Sequence, residues 1–419
     1  MKILVVGGGG REHALVWKIS HSPKVKKIYC APGNGGISEL AECVDIAAAN
    51  VTELVEFAKN HSIDLTVVAP EDPLAMGMAD AMQKAGLRVF GPAKDAAAIE
   101  SSKVFAKNLM KKYGIPTAEY RVFEEYNEAV EYVKKARYPI VIKAEGLALG
   151  KGVIIVKNAD EANQALKAMM VDYAFGQAGQ RVVVEEYLTG SEVTVMAFTD
   201  GKNFKPMVSA QDHKRVYDND EGSNTGGMGA FSPSRVYTPG IAKQVEEIII
   251  GPTIEAMAKE GRPFQGVLYF GLMLTEKGPK VLEYNARFGD PETQVVLPRL
   301  KTDIIDIFEA VTEKRLDQID IQWEDNAAVC VVLASGGYPG EYSKGYKITG
   351  IESAVDDSGV IVFHSGTRQE DGEFYTNGGR VLGVTAVAGD LDSAIHKVYQ
   401  GVDKIHFQHM HYRRDIGRK

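Results

Sequence analysis

Two oxygen-bearing side chains stand two residues apart in a strand-like run: 279–285 reads PKVLEYN and carries Glu283 and Asn285. Side chains alternate along a strand, so Val281, Glu283 and Asn285 are expected on one face and Lys280, Leu282 and Tyr284 on the other. Hard oxygen ligands in such low number suit Mg²⁺ (or Mn²⁺), which keeps waters and takes the rest of its shell from substrate phosphates. A solvated edge strand would need no such pair. The next turn favours a site, because Arg287, Asp290 and Glu292 crowd around Gly289 and Pro291.

Two glycine clusters add anion-binding chemistry. Gly7–Gly10 ends the opening apolar run and precedes a helical segment, where backbone amides and the positive helix end suit a phosphate, and Arg11 adds a cation. A dinucleotide fingerprint fits poorly. Aligned from Gly7 it puts Glu12 at the third glycine, aligned from Gly8 it puts His13 there, and the second strand ends at Cys30-Ala31 without an acid. A plain tight turn is the remaining alternative. The second cluster, GLALGKG at 146–152, is not a Walker A loop. Only three residues separate Gly146 from Gly150, Gly152 stands where Ser or Thr is needed, and strands flank it on both sides. A hairpin flap is expected, with Gly150, Lys151 and Gly152 folding over a triphosphate and Lys143 entering from the preceding strand. A merely structural hairpin turn would use two to five residues.

The elements that must position these groups fall into three blocks. In 1–100, strands KILVV, KIYC, LTVVA and LRVF alternate with helical stretches such as 11–20 and 52–60, which predicts a parallel, doubly wound sheet. Ser101 and Ser102 can cap a helix that stops at Gly114, with Pro116 beyond. From Tyr138 the pattern turns to hairpins: strands at 139–143, 153–157, 181–185 and 192–198, with a helix near 160–170. The stretch 211–231 is polar, glycine-rich and without period, and reads as a long functional loop. A helix over 241–259 follows, then a hairpin of 267–274 and 279–285 turned at Lys277-Gly278. From Asn326 a β-rich block begins, with one late helix near 391–402.

Composition narrows the classes. The 419 residues are 45% apolar and 25% charged with a net charge of −8, which fits a folded globular protein and argues against a general nucleic-acid binder. Cys30, Cys43 and Cys330 lie far apart without a C-x-x-C pair, and are expected as buried thiols in a reducing cytoplasm. The opening apolar run is short for a signal peptide, and no stretch approaches a membrane span.

Taken together, RFGDPETQ (287–294), QDHKR (211–215), NTGGMG (224–229), PEDPL (70–74), the opening VVGGGGREHA and the closing YRRDIG resemble the glycinamide ribonucleotide synthetases, the phosphoribosylamine–glycine ligases of the ATP-grasp superfamily, across nearly the whole chain. The resemblance implies an α/β protein: an N-terminal sugar-phosphate domain over 1–100, an ATP-grasp domain over 101–325 with a flap subdomain near 118–190, and a C-terminal domain over 326–419. It implies ligation of glycine to 5-phosphoribosylamine in purine biosynthesis, with ATP and Mg²⁺ (or Mn²⁺), through a glycyl phosphate. Small molecules are the implied partners, with no nucleic acid or membrane, and the protein is expected as a cytoplasmic monomer or weak dimer.

Carried over by position, Lys103, Lys143, Gly150, Lys151 and Gly152 match the family's phosphate-facing groups. Glu185, Glu186, Tyr187 and Leu188 match the strand whose backbone reads adenine, and Glu192 the acid on the ribose of ATP. Glu283 and Asn285 match the metal ligands; the partner strand, VLYFGLML, lacks the further acid that many superfamily members carry. Arg287 matches the arginine that stabilises the transferring phosphoryl group, and Asp212 and Asp290 are candidates for the glycine ammonium. Gly8, Gly9, Gly10 and Arg11 are assigned to the sugar phosphate, Glu71 to the ribose hydroxyls with Asp72 beside it, and Asn224, Thr225, Gly226, Pro291 and Thr293 to further substrate contacts. Arg413 and Arg414 either close on the same phosphate or form a solvated basic end. Other readings are a different ATP-grasp carboxylate–amine ligase or carboxylase, a non-catalytic nucleotide sensor, and a nicotinamide oxidoreductase. RFGDPE and the lack of a Met-Lys-Met biotinyl site argue against the first, Arg287 beside Glu283 against the second, and Glu12 in place of glycine against the third.

Overall fold

A computed structural model of the chain describes residues 1–148 and 152–418. The first block is an all-parallel sheet of β1 (Lys2–Gly7), β2 (Lys27–Pro32), β3 (Glu42–Cys43), β4 (Leu65–Val68) and β5 (Val89–Phe90), in the order β3-β2-β1-β4-β5. Leu4 and Val6 enter one core and Ile3 and Val5 another, so both faces are covered, as the unbroken apolar run requires. Helices α1 (Gly10–Ser20), α2 (Val51–Asn60), α3 (Glu71–Met76), α4 (Met78–Lys84) and α5 (Lys94–Ser101) complete the block. The strand order reverses between β1 and β4, and ligands of such sheets bind at the carboxyl ends there. Gly7 and Glu71 stand at those ends. The predicted LRVF strand shortens to its last two residues, and Cys43 is exposed on the edge strand, so only Cys30 and Cys330 are the buried thiols expected.

Helix α6 (Lys103–Tyr113) begins where Ser102 accepts the Phe105 amide and ends at Gly114, whose φ of 68° favours glycine. A small lobe follows, built from β6 (Tyr120–Phe123), α7 (Tyr126–Val133), β7 (Ile140–Ala144), β8 (Val153–Val156), α8 (Ala159–Met170) and β9 (Val182–Glu186). Its antiparallel sheet runs β6-β9-β7-β8.

The chain then passes through β10 (Ser191–Asp200), β11 (Phe204–Pro206), β12 (Gln211–Asp212), β13 (Arg215–Tyr217), β14 (Glu221–Asn224), β15 (Gly229–Ser232), β16 (Gln265–Thr275) and β17 (Gly278–Asn285). Strands β11-β10-β16-β17 form the central sheet, with β17 at its edge and the hairpin turned at Glu276-Lys277. The stretch read as a long loop holds four short strands: β13 and β14 pair with each other, and β12 pairs with β15. The helical stretch before β16 divides into α9 (Pro239–Val245), a π-helical turn (Glu246–Ile250) and α10 (Gly251–Lys259).

After α11 (Thr293–Val296) and α12 (Ile304–Thr312) come β18 (Ala327–Ser335), β19 (Lys347–Ile348), α13 (Ile351–Ser358), β20 (Ile361–His364), β21 (Thr367–Glu370), β22 (Glu373–Thr376), β23 (Arg380–Ala388), α14 (Leu391–Val402) and β24 (Met410–His411). The main sheet runs β12-β15-β18-β23-β20, so this block takes two strands from before Asn326. It also holds α13, so the block has two helices where one was expected.

Candidate active site

A cleft of about 1320 Å³ is lined by side chains from all three blocks. One half is a lysine cluster. Ser102, the cap of α6, also donates to Glu145 Oε1 at 2.8 Å, which fixes the turn from which Lys103 extends to the Gly146 carbonyl at 2.9 Å. One helical turn on, Lys107 lies on the same face. Its Nζ and that of Lys143 each stand 3.0 Å from Glu185 Oε2, while Glu185 Oε1 is buried with no hydrogen-bond partner. Burial lowers the Lys107 pKa to about 8 against the pull of Glu185, and burial also lowers Lys103. Glu186 at the strand end takes Lys280 at 2.8 Å and the Glu119 amide at 3.1 Å. Tyr187 is exposed, Leu188 buried, and both line the cleft with Gly152. Gly150 and Lys151 lie outside the described residues.

The opposite wall is β17, where the predicted alternation holds for Glu283 and Asn285 but not for Val281. Leu272 pairs with Val281 but Gly271 with Glu283, so Leu282 is an extra residue in a bulge. A bulge re-aims the side chains beyond it. Val281 and Tyr284 therefore enter the core, while Glu283 and Asn285 face the cleft. Burial works to raise the Glu283 pKa, yet Lys214, Lys143, Lys103 and Arg287 together hold it below the usual carboxylate value. Among the described residues no donor hydrogen-bonds this carboxylate, and no group of three or more His, Cys, Asp or Glu could hold a metal. Glu283 and Asn285 thus present two side-chain oxygens to the cleft. Lys214 stands 3.0 Å from Glu192 and 3.8 Å from Asp212. Burial pushes Asp212 up to about 7, against Lys214 and with Glu292.

The third wall is a chain of ion pairs. Arg11 Nη1 lies 3.7 Å from Glu71 Oε2, the same oxygen lies 3.3 Å from Arg287 Nε, and Arg287 Nη2 lies 3.0 Å from Glu100 Oε1. Burial opposes ionisation of Glu71, but Arg287 and Arg11 lower its pKa to about 2. Asp290 pairs with Arg380 at 3.0 Å and accepts from Gln294 at 2.7 Å. Arg380 also donates to Gly226 O at 2.6 Å, beside Asn224 and Thr225 on the cleft wall.

Several expected contacts fall elsewhere. Asp72 is exposed and does not line the cleft, because α3 turns it away from Glu71. Pro291 and Thr293 are buried under the wall: Thr293 Oγ1 donates to Gly289 O, and Pro291 packs against Gly227. Gly8, Gly9 and Gly10 border the cleft without lining it, and the Gly9 amide is taken by Glu12 Oε2 at 2.7 Å. Arg413 is 0% exposed, locked to Asp415 at 2.7 Å and Asp220 at 2.9 Å, and Arg414 stacks over Tyr412. Neither arginine reaches the cleft. Sequence reasoning missed Glu100, Lys107, Lys214 and Arg380. The i, i+4 spacing of Lys107 from Lys103 and the place of Lys214 within QDHKR were available signals.

A small antiparallel lobe and a central sheet gripping a lysine-lined cleft, with an acid and an amide on the facing edge strand, define an ATP-grasp fold. The biotin carboxylase domain of Hydrogenobacter thermophilus 2-oxoglutarate carboxylase shares that fold, with a TM-score of 0.75 over 98% of this chain and 91% of that one at 15% identity. Family models match end to end: the phosphoribosylglycinamide synthetase N domain over residues 1–100, its ATP-grasp (A) domain over 101–293 and its C domain over 328–419. The phosphoribosylamine–glycine ligase of Caldanaerobacter subterraneus subsp. tengcongensis is 51% identical over 99% of both chains. A trifunctional purine biosynthetic protein of Gallus gallus is 49% identical over 99% of this chain and 42% of its own length. The crystal structure of the Thermotoga maritima phosphoribosylamine–glycine ligase superposes with a TM-score of 0.86 at 33% identity, covering 99% of this chain and 100% of that one. The chain belongs to the phosphoribosylglycinamide synthetase family.

Proposed function

We propose that the protein ligates glycine to 5-phosphoribosylamine in purine biosynthesis, cleaving ATP to ADP and phosphate and giving glycinamide ribonucleotide. The observation that carries this reading is the position of Arg287. Its guanidinium donates to Asn285 Oδ1 at 3.2 Å on β17 and is joined through Glu71 to Arg11 at the carboxyl ends of the parallel sheet. One cation thus faces both the phosphoryl half and the sugar-phosphate half of the cleft.

The chemistry follows from charge. A carboxylate is a poor electrophile, so ATP first phosphorylates a glycine carboxylate oxygen; the amine of phosphoribosylamine then attacks the carbonyl carbon, and phosphate leaves with that oxygen. Phosphoryl transfer needs positioning and charge neutralisation above all. Lys103 and Lys143 stand over the triphosphate, and Arg287 presents a planar fork to the phosphoryl oxygens. The unpartnered Glu185 Oε1 suits an exocyclic amine of the base, and Glu192 suits the ribose hydroxyls. Glu283 and Asn285 would hold Mg²⁺ (or Mn²⁺), which when bound neutralises phosphate charge. Asp212 and Asp290 offer carboxylates to the glycine ammonium, and Arg11 supplies the cation for the sugar phosphate, beside the Gly8–Gly10 loop whose Gly9 amide is held by Glu12.

The test is coupled ADP release with glycine and freshly made phosphoribosylamine, each omitted in turn. Steady turnover should need both substrates, with one ADP per glycinamide ribonucleotide formed. Steady ADP release that ignores glycine would overturn the reading.

A further inference from the structure

The last turn of α5 carries a carboxylate that this scheme leaves unused. Glu100 is 8% exposed, and its two oxygens divide their work. Oε2 accepts the Ala286 amide at 2.7 Å, and Oε1 meets Arg287 Nη2 at 3.0 Å. The first contact fixes the backbone between Asn285 and Arg287; the second fixes one edge of the guanidinium, whose Nη2 also donates to Asn285 Oδ1 at 3.2 Å. A buried carboxylate is costly, and an apolar side chain could fill the same space, so packing alone does not account for it. Three residues further on stands Lys103, and Ser102 between them is tied to Glu145. The same short turn therefore places a cleft lysine and grips Arg287 from behind.

We propose that Glu100 is a positioning residue of the ligation reaction, holding Arg287 and the Asn285–Arg287 backbone in the geometry that phosphoryl transfer requires. It rests on the ligase reading of the cleft. Glu100 touches no substrate in this account and acts only through the strand end it clamps.

Glu100→Gln keeps the size and the acceptor for the Ala286 amide but removes the charge on Arg287. It should lower kcat by ~10²-fold and leave the KM for ATP within about twofold, the pattern of a contact that matters in the transition state. Glu100→Asp, which keeps the charge at shorter reach, should recover part of the loss. In an Arg287→Met background, Glu100→Gln should change kcat by less than about twofold, because its target is gone. That double variant removes both charges of the Glu100–Arg287 pair and leaves Glu71 its other partner, Arg11, and thermal unfolding of each variant checks that it is folded. Multiplying losses in the double variant, or a single-variant effect confined to the KM for ATP, would overturn the proposal. Mass mapping after phenylglyoxal treatment reads the clamp without activity: Arg287 should be modified faster in Glu100→Gln than in wild type, and equal rates would count against Glu100. A wild-type protein that formed no product would instead defeat the ligase reading, and the phenylglyoxal result would still decide the clamp.

Discussion

Arg380 Nη2 lies 3.0 Å from Asp290 Oδ2, tying the first residue of β23 to the turn that follows β17. Arg380 also donates to the Asp290 carbonyl at 2.9 Å, so one side chain holds both the charge and the backbone of that turn. Arg380→Ala would leave a largely buried carboxylate without this cation, and should cost about 3 kcal/mol of stability. Thermal or urea unfolding measures it; an unchanged midpoint would show that the pair carries no structural load. Burial works to raise the Asp290 pKa, but Arg380 and Arg11 hold it below 3.8. Its contribution is therefore present above the ordinary carboxylate value and is lost as pH falls through the depressed one, so Arg380→Ala should flatten the acid limb of the stability profile.

Replacing Glu283 by alanine should abolish divalent-cation-dependent turnover. Asn285→Ala should be milder, because a water can stand in for a neutral ligand. Titrating Mg²⁺ against initial rate separates the two variants. Near-normal turnover of Glu283→Ala at limiting Mg²⁺ would remove β17 from the metal site.

The Asp212 carboxyl, pushed up to about 7, predicts a pH-dependent affinity for glycine. Its folded pKa lies above the ordinary 3.8, so the group favours the free folded protein below 3.8 and loses that contribution as pH rises through about 7. If the ionised form takes the glycine ammonium, the KM for glycine should rise up to roughly tenfold per pH unit below about 7. Asp212→Asn should raise that KM and flatten its pH dependence. A KM that is level in wild type from roughly pH 6 to pH 8 would reassign the ammonium to another carboxylate.

At the N-terminal loop, a Cβ on Gly9 would stand 2.8 Å from Glu12 Oε2 and 3.6 Å from Asp290 Oδ2. Gly9→Val should therefore displace the Glu12 carboxylate that caps the Gly9 amide and raise the KM for phosphoribosylamine, with ATP binding by calorimetry unchanged. NADH should show no saturable binding to wild type. Weakened ATP binding with normal sugar-phosphate kinetics would exchange the roles of the two glycine loops.

The placement of residues is legible in the sequence where it depends on local spacing. Glu283 and Asn285 were recognisable as a pair, the Ser102 cap and the Gly114 stop bound α6 as the pattern indicates, and the parallel sheet follows from unbroken apolar runs. What stayed hidden depends on partners far along the chain. The bulge at Leu282 is set by the register of β16, which periodicity within β17 cannot report. Strands β12 and β15 are two and four residues long and gain their meaning from β18, so the stretch holding them looked structureless. Arg413, expected either on the sugar phosphate or in a solvated basic end, is instead buried because Asp220 and Asp415 converge on it. Glu100 and Arg380 lie in segments with no motif of their own, and only folding brings them to Arg287 and Asp290.

If glycine is activated as its acyl phosphate, a carboxylate oxygen must pass to phosphate in every turnover. Glycine labelled with ¹⁸O in both carboxylate oxygens should yield inorganic phosphate carrying one ¹⁸O per turnover, with the other retained in the amide of glycinamide ribonucleotide. Release of unlabelled phosphate alongside product would contradict the account.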